Sequence, residues 1–108
     1  MSRTPMTWCA GVVFSVIPMQ DCCFYRVPGV YMLCRRDPAG IHILYIGQTT
    51  NIAKRLGPSH GYWDAALQLG MNEVHLHLLA KAELHRLAVE GHLVERYAPP
   101  LNRQRRAA

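Results

Sequence analysis

The chain has 108 residues, half of them apolar, with a formal charge of +5 and a pI near 9.3. That length predicts one domain with a single modest core, and the apolar share excludes a disordered chain. Arginine dominates the basic residues, and its planar fork suits phosphate oxygens, so the balance favours a polyanionic partner.

The chain opens on a stretch with little chemistry. Residues 1–8 are expected to be loose, and Gly11 to Ile17 is β-rich enough for an added edge strand. Together residues 1–26 read as an N-terminal extension. The apolar segment Cys9 to Met19 is too short to span a bilayer. Arg3 precedes it, Pro18 interrupts it and no small-x-small cleavage site follows, so a cytoplasmic protein without a membrane segment is expected. Cys9, Cys22, Cys23 and Cys34 make no Cys-x-x-Cys pair and match no zinc spacing, and read as reduced, partly buried thiols.

Two apolar runs come next, Val30 to Cys34 and Ile41 to Gly47, each carrying a tyrosine. They predict strands over Pro28 to Arg36 and Ile41 to Gln48. Between them, Asp37-Pro38-Ala39-Gly40 suits a type I turn with Gly40 at a left-handed bulge position, a three-residue loop. That loop pairs Asp37 with Ile41, Leu33 with Tyr45 and Tyr31 with Gly47. Tyr31 and Tyr45 then project from one face, whereas a two-residue loop would put them on opposite faces.

After Gly47, Thr50 or Asn51 can cap a short helix from Ile52 to Leu56, ended by Gly57-Pro58, which places Arg55 near the end of the Tyr45 strand. A loop with His60 leads to a second short helix, Asp64 to Leu69, closed by Gly70. Val74 to Ala80 alternates as a third strand, with His75 and His77 expected on the wetter face. Glu83 to Ala98 reads as the long helix. On a wheel Leu84, Leu87, Gly91, Leu93, Val94, Tyr97 and Ala98 form an arc that includes Glu90, while Glu95, His85, His92 and Arg96 lie outside it. An inward carboxylate needs a cation or strong hydrogen bonds: a core-facing arginine, a metal ion or Arg55 would serve. Pro99-Pro100 stops the helix, and Asn102 is expected on an extended segment before a basic tail.

Several of these pieces, in order, resemble the GIY-YIG nuclease family: Gly29-Val30-Tyr31, then Tyr45-Ile46-Gly47, then the step from Gln48 to Leu56, then Glu90 to Glu95 with Pro99-Pro100-Leu101-Asn102. The resemblance implies an α+β fold over residues 27–102, a small three-stranded antiparallel sheet flanked by helices, with 103–108 as a basic tail. It implies a metal-dependent endonuclease that hydrolyses phosphodiester bonds in DNA. Glu90 would hold Mg²⁺ or Mn²⁺, Arg55 would meet the phosphate and Tyr31 would act as general base. Tyr45 would support the water or phosphate, and Asn102 would brace the site. His60 stands near where several members carry a histidine, and would be a second base or a phosphate contact. Gly47, Gln48, Lys54, Arg103, Arg105 and Arg106 would contact nucleic acid. Gln48 occupies a position where some members carry lysine. No appended DNA-binding module is recognisable, so sequence specificity is expected to be low or else to come from a targeting protein. The alternative is a catalytically silent nucleic-acid-binding module on the same fold.

Overall fold

The hairpin expected around Asp37-Pro38-Ala39-Gly40 forms, but by a different route. In a computed structural model, which describes residues 5–21 and 23–107 with side chains through 103, β3 spans Gly29–Asp37 and β4 spans Gly40–Thr49. The loop is therefore Pro38-Ala39 alone, one residue shorter than expected, and Asp37 pairs with Gly40 rather than Ile41. Asp37 Oδ1 accepts the Ala39 N–H at 2.9 Å, and Gly40 takes φ +128°. Such a loop alone would separate the two tyrosines. A bulge restores them: Cys34 pairs with Ile43 but Leu33 with Tyr45, leaving Leu44 as an extra residue. The two shifts cancel, Tyr31 pairs with Gly47, and the rings of Tyr31 and Tyr45 share a face with centroids 6.2 Å apart.

The sheet has five antiparallel strands rather than three, in the order β1-β2-β5-β3-β4. The extension supplies two of them. β1 (Met6–Cys9) lies in the stretch expected to be loose, and it pairs with β2 (Val12–Pro18) across a turn where Ala10 and Gly11 both take positive φ. β2 is not an edge strand, because its other side pairs with β5 (Glu73–His77). This reverses the expectation for the histidines. β5 sits between β2 and β3 with all its residues buried, His75 fully and His77 at 7% exposure. One nitrogen of each finds a partner: His75 Nε2 meets Glu73 Oε1 at 2.9 Å, and His77 Nδ1 donates to the Val13 carbonyl at 2.8 Å.

Each face of the sheet carries its own core. Tyr31, Leu33, Leu44 and Tyr45 pack with α1 (Ile52–Arg55), α2 (Trp63–Gln68) and Leu101. Val30, Met32, Cys34 and Ile46 pack with Phe14 and with Leu93 of α3 (Glu83–Tyr97). Asn51 caps α1 as expected, its Oδ1 accepting the Lys54 N–H at 3.1 Å. The inward face of α3 is rotated from the leucine-centred arc. Leu84 is 82% exposed, Leu87 and Gly91 are exposed, and the buried residues are Arg86 and Leu93. Glu90 is half-buried and Glu95 exposed. After a left-handed Ala98, Pro100 begins another helix, α4 (Pro100–Ala107), where an extended segment was expected. A proline that stops one helix fits the first turn of the next, since its missing N–H is not needed there. No helix among the described residues is long and apolar enough to cross a membrane.

Candidate active site

The site is built around the phenol of Tyr31. Gly47, directly across the ladder, leaves the space for it: a Cβ there would lie 2.5 Å from Tyr31 Oη and 2.6 Å from Cζ. Gly47 is thus the seat of the tyrosine ring, which any side chain would dislodge. The adjacent Ile46 is held from outside the sheet. Its N–H donates to Asn102 Oδ1 at 2.8 Å, and its carbonyl accepts from Asn102 Nδ2 at 2.9 Å. Asn102 thereby takes the place of a neighbouring strand on the edge of β4, between Tyr45 and Gly47. It braces the backbone and, at 3% exposure, presents nothing to solvent.

The short loop after α1 brings His60 down on both tyrosines. His60 Nε2 lies 2.7 Å from Tyr31 Oη, and its ring meets those of Tyr31 and Tyr45 edge-on. Tyr62, from the same loop, stacks on Tyr45 with centroids 4.9 Å apart. The tautomer follows from the partners. Nδ1 accepts the Tyr62 N–H at 3.0 Å, so the proton of the neutral ring sits on Nε2 and is donated to Tyr31 Oη. Burial, and then the charge of Arg55, lower the His60 pKa to about 4, so the ring is neutral at pH 7. Both nitrogens are committed, and His60 is placed as a fixed donor rather than as a second base or a phosphate contact.

Arg55, exposed at the end of α1, acts on the same phenol, its charge favouring the ionised form. The Tyr31 oxygen thus has a hydrogen-bond donor in His60 and a cation in Arg55 that both favour its ionised form. Its pKa is nevertheless raised. Burial dominates and the neighbouring Tyr45 adds to it, while the charge of Arg55 pulls the other way. The Glu90 carboxylate raises it further. Glu90 comes from α3, the helix on the sheet face opposite the tyrosines, and acts on the phenol through its charge.

Sequence reasoning missed Arg86. It is 3% exposed, and its Nε donates to Gln48 Oε1 at 3.0 Å while Nη1 donates to the Lys81 carbonyl. The guanidinium is therefore brought to Gln48. Arg86 lies one turn before Glu90 on the same helix face, and that spacing was the available signal. Of the expected nucleic-acid contacts, Lys54 and Arg103 are exposed, Gln48 is occupied by Arg86 and Gly47 is buried. Arg105 and Arg106 lie outside the residues whose side chains are described.

The described residues contain no group of three or more His, Cys, Asp or Glu side chains that could cage a metal ion. A single half-buried carboxylate suits Mg²⁺ or Mn²⁺ that keeps most of its waters, and does not suit a closed zinc or calcium site. Compared with known proteins, the chain matches no family model, no curated protein and no solved structure.

Proposed function

We propose that the protein is a metal-dependent endonuclease of the GIY-YIG type, hydrolysing phosphodiester bonds in DNA. The observation that carries this reading is the Tyr31 oxygen meeting the Nε2–H of His60 at 2.7 Å, with the charge of Arg55 acting on the same phenol. A donor and a positive charge acting on one phenol oxygen favour its phenolate, the form that can take a proton from water. The water oxygen bonds to phosphorus as the bond to the leaving oxygen breaks, and the leaving oxygen takes up a proton. Arg55, exposed, offers its other N–H groups to the phosphate oxygens, where negative charge builds. Asn102 and Gly47 keep Tyr31 and Tyr45 in register. Glu90 would hold Mg²⁺ or Mn²⁺, which when bound supplies charge neutralisation and stabilisation of the leaving oxygen.

The deciding experiment is nicking of supercoiled plasmid with Mg²⁺ and with chelator. Metal-dependent nicking is expected. A second reading, a catalytically silent nucleic-acid-binding module, is favoured by one observation: Tyr31 and Tyr45 are each only 1% exposed, and burial raises the Tyr31 pKa. That reading requires DNA binding without nicking under any divalent metal.

A further inference from the structure

Beside the site runs a strip that the hydrolysis does not use. The segment before β3 lies across the start of α1. The Ile52 N–H donates to the Val27 carbonyl at 2.8 Å and the Ala53 N–H to the Tyr25 carbonyl at 3.1 Å. With Asn51 capping Lys54, the first amides of α1 are occupied by protein, so any ligand here must be held by side chains. Those side chains are cationic and aromatic. Tyr25 is anchored by its backbone yet 73% exposed. Arg26 follows it and lines a hollow with Asn51, Ala53 and Lys54. A second hollow is lined by Thr49, Thr50, Asn51, Lys54 and Arg55. The two share Asn51 and Lys54, so they form one track that ends at Arg55, whose charge acts on Tyr31. No carboxylate lines either hollow among the described residues.

We propose that this strip holds a single-stranded segment of the nucleic acid next to the scissile phosphate, with an unpaired base on Tyr25 and backbone phosphates on Arg26 and Lys54. The inference rests on the nuclease reading for what lies at the Arg55 end. Cations alone would suit a duplex equally, since phosphate contacts carry no information on pairing. The exposed ring makes the difference: inside a duplex both faces of each base are covered by its neighbours, whereas an unpaired base can lay its face on an aromatic side chain. The expected substrate is a duplex with a single-stranded overhang or flap.

The test is fluorescence anisotropy on the full chain with two labelled probes, a blunt duplex and the same duplex carrying an oligothymidine overhang. Wild type should bind the overhang probe more tightly. Tyr25→Ala should weaken that probe roughly 5- to 100-fold, the loss of one stacked base, and leave the blunt duplex unchanged, while Tyr25→Phe should keep the preference. Lys54→Ala should weaken both probes and reduce the slope of log affinity against log salt by roughly 0.7–0.9. Equal wild-type affinity for the two probes, or a preference that survives Tyr25→Ala, overturns the proposal. A protein that nicks plasmid without overhang preference loses this inference alone. One that prefers the overhang but never cuts loses the nuclease reading, and the strip stands as a binding surface.

Discussion

The protein buries two histidines whose pKa burial lowers, and they lead different lives. His60, at 3% exposure, uses both ring nitrogens, one accepting from the Tyr62 N–H and the other donating to Tyr31. His75, fully buried in the middle strand, uses only one. Its Nε2 meets Glu73, which in turn meets Arg36 at 2.5 Å, and its Nδ1 has no hydrogen-bond partner. The chain Arg36–Glu73–His75 runs from the surface into the sheet and stops. Both hydrogen bonds lower the Glu73 pKa against the opposing effect of burial. Such a chain ties β3 to β5, and its solvent-facing cation, Arg36, is paired with Glu73. The His60 cluster ends on a phenol oxygen on which the charge of an exposed arginine acts. A network that ends inside the sheet is structural by default; one that ends on a phenol oxygen with an exposed cation acting on it has somewhere to send charge.

The sharpest way to break the contrast is to remove one group from each cluster. Arg55→Ala should lower nicking by about 10²–10³, the usual cost of losing one charge-stabilising donor, with the melting temperature nearly unchanged because Arg55 is exposed. His75→Ala should do the reverse, lowering the melting temperature while nicking per folded molecule stays constant. Equal rate losses in the two variants would erase the distinction.

A smaller effect is expected from the brace. Asn102→Ala leaves the buried N–H and carbonyl of Ile46 without partners, each costing about 1–3 kcal/mol. Denaturant titration should show that loss, and the rate should fall further than stability explains, because β4 carries Tyr45 and the seat of Tyr31. A rate that tracks only the folded fraction would make Asn102 purely structural.

Gly47→Ala sharpens the comparison on the tyrosine side alone. Its Cβ would sit 2.5 Å from Tyr31 Oη, so the ring must move off the His60 Nε2–H. About 1–3 kcal/mol of overpacking cost is expected. The marker is the His60 ring resonance by NMR, which should shift in this variant and stay fixed in His75→Ala.

The mildest effect is in pH. The folded pKa of His60 is about 4 against an ordinary 6.5. Between those values the unfolded chain binds a proton that the folded chain refuses, so stability is fully present above 6.5 and falls as pH drops toward 4. His75, lowered chiefly by burial, acts in the same direction. The melting temperature should decline across that window, less steeply in a His60→Asn variant. A flat profile would mean that the folded rings take up protons as readily as the unfolded ones.

How much of this was legible in the residues depended on how local each cause is. The Asn51 cap, the turn at Asp37, the short helix carrying Arg55, the long helix and the outward Glu95 follow from spacing and from side chains that act within a few positions. The shared face of Tyr31 and Tyr45 was also foreseen, but only because a shorter loop and the Leu44 bulge cancel, and a bulge is set by pairing rather than by the strand's own pattern. The rest was decided in three dimensions. A strand's wet face is not a property of its alternation: His75 and His77 are buried because the N-terminal hairpin pairs with β5 from the other side. A helical wheel weighs polarity and is blind to partners. Leu84 lies in the open while Arg86 is buried, because Gln48 Oε1 and the Lys81 carbonyl receive its N–H groups. The tautomer of His60 was likewise beyond reach, since it depends on the Tyr62 N–H and a phenol 29 residues away. Sequence determined which chemistry-bearing residues exist and which short elements carry them; only tertiary packing decided which polar atoms meet, because burial and hydrogen bonding are properties of pairs.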